Sequence, residues 1–72
     1  MNGRIKRITG YAPLARYMST IEDAGEIQVT PDMPRSPYAY SQERQTYRDS
    51  RGRRVYIVET RHRTYDVFEV RQ

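Results

Sequence analysis

From residue 45 onward the chain alternates strand-forming and polar residues in three bursts. Residues 53–60 carry Val55, Tyr56, Ile57 and Val58, residues 64–71 carry Tyr65, Val67, Phe68 and Val70, and residues 45–49 form a shorter run. Alternation at a period of two marks a strand with one buried face. Asp49-Ser50-Arg51-Gly52 sets Asp first and Gly last in a type I turn, and Thr60-Arg61-His62-Arg63 separates the last two runs. The pattern predicts a C-terminal three-stranded antiparallel meander. Pairing its last two strands in an odd register sets Val55 and Ile57 beside Phe68 and Val70, and Tyr56 and Val58 beside Tyr65 and Val67. An even register brings Asp66 or Glu69 among the apolar residues. Because a one-residue slip exchanges faces, the odd register is the prediction, with a helix over Val55, Ile57, Phe68 and Val70.

Upstream, residues 4–9 read as a strand that Gly10 ends, and Pro13 suits a first helical position. Leu14, Tyr17, Met18 and Ile21 then recur at helical spacing, which predicts a helix over 13–24 stopped by Gly25. Glu22 and Asp23 fall at the wrong end of that helix for its dipole, so its last turn should fray or meet a basic partner. Residues 26–30 alternate again, with Ile27 and Val29 on one face. Pro31, Pro34 and Pro37 make 31–41 a proline-rich loop, expected to run extended and to shield a sheet edge, with Tyr38-Ala39-Tyr40 rejoining that edge. The expected fold is α+β: one helix packed on a small antiparallel sheet of about four or five strands.

Composition refines this picture. Seventy-two residues make a single domain with a thin stability margin, and its five Ile and five Val against one Leu favour a sheet-centred core. So small a core gains from burying a second sheet face, so homodimerisation is expected. There is no cysteine, hence no disulfide and no thiolate metal site. No apolar run approaches a membrane span and no leader is expected, which leaves the cytoplasm as the default compartment.

The net charge of +4 comes from twelve Arg and one Lys against nine carboxylates. Residues 44–63 hold seven of the arginines against Asp49 and Glu59. Planar guanidinium groups suit phosphate, and exposed tyrosines can stack on bases. Arg48, Arg51, Arg53, Arg54, Arg61 and Arg63 are therefore candidate phosphate contacts, and Tyr47, Tyr56 and Tyr65 candidate stacking residues. The expected function is non-enzymatic binding of nucleic acid or a nucleoprotein complex. The alternative is a protein inhibitor or adaptor of phage or mobile-element type, as anti-CRISPR proteins are, acting on a host protein through Tyr38, Tyr40 or the Tyr56/Tyr65 face. A third reading is a metal-independent RNase toxin using Arg53, Arg54, Tyr56, His62 and Tyr65. No catalytic residue, metal site or cofactor is assigned: His62 lies between two arginines with no local carboxylate partner, and the four glycines stand singly.

Overall fold

The computed structural model describes residues 3–71. Six elements follow one another: β1 (Arg4–Thr9), α1 (Tyr11–Met18), β2 (Glu22–Gln28), β3 (Glu43–Arg48), β4 (Arg54–Arg61) and β5 (Thr64–Glu69). The strands form one antiparallel sheet in the order β1-β5-β4-β3-β2, so the fold is α+β with a C-terminal meander. β1 and β2 are the two edges, and α1 carries the chain across one face from the first edge to the second.

The helix is shorter than its apolar spacing predicts. The Ser19 hydroxyl donates to the Arg16 carbonyl and the Thr20 hydroxyl to the Tyr17 carbonyl, both at 2.7 Å, which satisfies the last turn and ends it. Glu22 and Asp23 therefore belong to β2, opposite Arg48 and Tyr47, and this removes their conflict with the helix dipole. Gly25 is not a helix stop. It forms a bulge within β2 at φ 87°, where the pairing register shifts. The strand expected at 26–30 thus starts earlier, at Glu22. An added Cβ at Gly25 would lie 3.9 Å from the Arg54 guanidinium, so space is adequate and the obstacle is the backbone angle alone. Gly25→Ala should lower stability by about 1–2 kcal/mol, read from the urea midpoint.

The final hairpin differs from its prediction in register. Val55 faces Glu69, Tyr56 faces Phe68, Ile57 faces Val67 and Val58 faces Asp66; only beyond a bulge between Glu59 and Arg61 does the pairing shift to Arg61 opposite Thr64. The even register wins because β1 supplies what the hairpin alone lacks: Arg7 lies opposite Asp66. The Arg7 Nε and Nη2 donate to the two Asp66 carboxylate oxygens at 2.7 and 3.0 Å, and Arg4 approaches at 3.7 Å.

Each face of the sheet then has its own core. Under the helix lie Ile8, Val55, Tyr65 and Val67, with Leu14, Tyr17, Tyr47 and Ile57 packed around them. On the other face lie Tyr56, Val58, Phe68 and Met33 of the β2–β3 connection. Tyr56 and Phe68 stack with centroids 5.5 Å apart. The proline-rich connection does not run straight. It turns at residues 30–33, where the Met33 N–H donates to the Thr30 carbonyl and the Met33 side chain enters the core. Tyr38 and Tyr40 stay exposed outside any strand.

Candidate functional site

In a meander, successive turns lie at opposite ends of their shared strand. Arg51 sits in the β3–β4 turn and Arg61–Arg63 at the β4–β5 tip, separated by the eight residues of β4, or about 23 Å. The arginines of residues 44–63 therefore form no single cationic ridge. Several also have internal partners. Arg53 Nε pairs with Asp49 at 2.8 Å. Arg54 donates to the buried Thr46 hydroxyl at 2.8 Å and to the Ala24 carbonyl at 2.9 Å, which locks the β2 bulge onto β4. The Arg63 guanidinium lies over the Tyr11 ring at 4.7 Å, and Arg48 donates to the Gly52 carbonyl at 3.0 Å.

The stacking candidates fare similarly. Tyr56 is 0% exposed and Tyr65 8%, on opposite faces of the sheet, so neither can receive a base. Tyr47 is half-buried under the helix side. The set considered for RNA cleavage is equally dispersed: Arg53 and Arg54 stand at one end of β4 and His62 at the other, with Tyr56 fully enclosed. Among the described residues, no group of three or more His, Cys, Asp or Glu could hold a metal ion. Nor, among those residues, is any helix long and apolar enough to cross a membrane.

What the fold does bring together is a basic groove of about 930 Å³ between β1, α1 and the β3–β4 turn. Its cationic side chains are Lys6, Arg16, Arg51 and Arg53, beside the carboxylate of Asp49; Arg7 borders it but turns its guanidinium to Asp66 on the opposite face of the sheet. Arg7 is held by Asp66 and Arg53 by Asp49, while Lys6, Arg16 and Arg51 enter no ion pair among the described residues. Lys6 extends over the Tyr17 ring at 4.9 Å, which fixes its ammonium at the groove wall.

The turn itself is tied together through Asp49. Burial pushes the Asp49 carboxyl up, but hydrogen bonds from the Arg53 backbone and side chain and from the Arg51 N–H outweigh it and hold the group below the usual aspartate value. Asp49 thus stays ionised and fixes both ends of the turn that presents Arg51.

Of the arginines singled out in the sequence, only Arg51 and Arg53 join this groove. Lys6 and Arg16 lie far away in sequence, and their convergence with Arg51 depends on β1 pairing with β5. A legible signal existed in Arg4-Ile5-Lys6-Arg7, a strand with cations on both faces. Compared with known proteins, the chain matches no family, no curated protein and no solved structure.

Proposed function

We propose that the protein is a non-enzymatic binder of nucleic acid that grips the phosphate backbone in the groove between β1, α1 and the β3–β4 turn. The observation that carries this reading is the convergence of four cationic side chains, Lys6, Arg16, Arg51 and Arg53, on one groove beside the Asp49 carboxylate. Lys6, Arg16 and Arg51 supply the unpaired charge, and Arg53, oriented by Asp49, adds a fixed donor face. Recognition is of backbone rather than sequence, because Tyr56 and Tyr65 are enclosed and the groove offers charge rather than a code for base edges.

Binding of this kind releases counterions, so its affinity depends on salt. With about three phosphates neutralised, affinity for a mixed-sequence DNA duplex should fall about 40-fold between roughly 50 and 200 mM salt, measured by fluorescence anisotropy. A flat response removes the reading. A second reading, a protein inhibitor or adaptor, draws on the 53% and 88% exposure of Tyr38 and Tyr40. It predicts that partners captured from host lysate survive nuclease treatment, whereas the nucleic-acid reading predicts their loss.

A further inference from the structure

We propose that a second groove, on the same face of the sheet beyond α1, binds a cationic side chain, an arginine or lysine of a basic segment in a partner protein, between tyrosine rings and the carboxylates of Glu43 and Glu59. This inference stands apart from the phosphate reading, since it uses different residues and the opposite charge.

The groove encloses about 440 Å³ between α1, the strands β3 and β4, and the connection around Tyr38. Leu14, Met18 and Ile57 make its apolar floor with the buried Tyr65, and Tyr38 and Tyr47 bring aromatic rings to it. α1 cannot close it, because eight residues of helix cover only part of a five-stranded face. Rings beside carboxylates select a delocalised or alkylated cation, since the ring face and the acid both favour positive charge. An anion or a nucleic-acid backbone would meet repulsion there.

The local charge is ready for such an occupant. Glu59 Oε2 accepts one hydrogen bond from the Arg63 N–H at 3.1 Å, which orients the carboxylate without neutralising it. Glu43 contacts Glu26 across the β2–β3 pair, and the hydrogen bond between them, reinforced by their mutual repulsion, holds the Glu26 carboxyl above its usual value. A bound cation relieves that repulsion. Asp23 adds a further carboxylate on this side of the β2–β3 ladder, paired with Gln45. The one cation in the lining, Arg44, directs its guanidinium to the opposite face, over the Tyr56 ring at 5.2 Å. It therefore leaves the groove open to a cation from outside.

The test is an NMR titration of the full chain with a short glycine-spaced arginine peptide, paired with the same peptide carrying neutral citrulline. The arginine peptide should shift the Tyr38, Tyr47 and Ile57 resonances, and the citrulline peptide should not. The double substitution Glu43→Gln with Glu59→Gln keeps side-chain shape and should weaken arginine-peptide binding about tenfold, without lowering affinity for duplex DNA. Equal binding of the citrulline peptide overturns the proposal, as does an unchanged affinity in the double variant or a set of shifts outside this groove. Groove shifts that follow protein concentration without any peptide would assign the site to a second copy of the chain, and would also overturn it.

Discussion

Tyr56→Ala should cost the protein about half or more of its stability. Tyr56 is wholly enclosed, its ring stacked on Phe68 and covered by Met33, Val58 and the Arg44 guanidinium. Truncating a buried aromatic to alanine removes about 3–5 kcal/mol, through lost transfer energy and the cavity that remains. A chain of this length holds only about 4–10 kcal/mol in total. The urea midpoint followed by circular dichroism should therefore fall by half or more. Tyr40→Ala, at an exposed position, should leave the midpoint within about 0.5 kcal/mol of wild type. The pair of variants separates a core tyrosine from a stacking tyrosine. A Tyr56→Ala protein with wild-type stability and weakened nucleic-acid binding would restore the stacking role that burial removes.

Asp66→Asn is expected to be the second most damaging change. Asp66 is 4% exposed on β5, beside the edge strand β1, and accepts a bidentate pair from Arg7, with Arg4 nearby. Arg7 remains largely solvated, so losing the carboxylate does not strand a buried cation. The loss is the charge-assisted hydrogen bonds, about 2 kcal/mol, or a fall of about 10 °C in Tm.

The pH dependence has a definite sign. The Arg7 hydrogen bonds, opposed by burial and helped by the Arg7 and Arg4 charges, hold the Asp66 carboxyl below its ordinary 3.8. A carboxyl lowered in the folded state stabilises the fold above its unfolded pKa, and that contribution disappears as pH falls through the folded pKa. Asp49 contributes with the same sign. Wild-type stability should therefore decline in acid below about pH 4, and the decline should be shallower in Asp66→Asn, with Asp49 and Asp32 among the carboxyls that supply the remainder.

The strands were legible in the sequence wherever one burial rule governed them. β1 falls on residues 4–9, ended by Gly10 as expected, and the meander follows its turn chemistry at Asp49-Ser50-Arg51-Gly52. Register was not legible from the hairpin alone. Pairing β4 with β5 in isolation treats Asp66 as an intruder among apolar residues, whereas in the sheet Arg7 of β1 satisfies it. A contact between residues so distant in sequence leaves no local trace. The helix ends before its apolar spacing does for a local reason: that spacing continues through Ile21, but Ser19 and Thr20 turn their hydroxyls onto the carbonyls behind them.

The candidate site shows the same division. Charge density along the chain points to residues 44–63, yet a meander sends alternate turns to opposite ends of the sheet, so Arg51 and Arg61 do not share one cationic cluster. Arg54, central to that charge run, is occupied by Thr46 and the β2 bulge. Lys6 and Arg16, unremarkable in sequence, become the partners of Arg51 because α1 returns along β1 toward the β3–β4 turn.

If phosphate is gripped between β1, α1 and the β3–β4 turn, the salt slope of duplex DNA affinity should separate two variants. Removing two groove cations together, Arg16→Ala with Arg51→Ala, should reduce the log–log slope by about 2, whereas Arg61→Ala at the far tip should leave it unchanged. A slope unaltered by the groove double variant, or reduced as much by Arg61→Ala, would contradict the account.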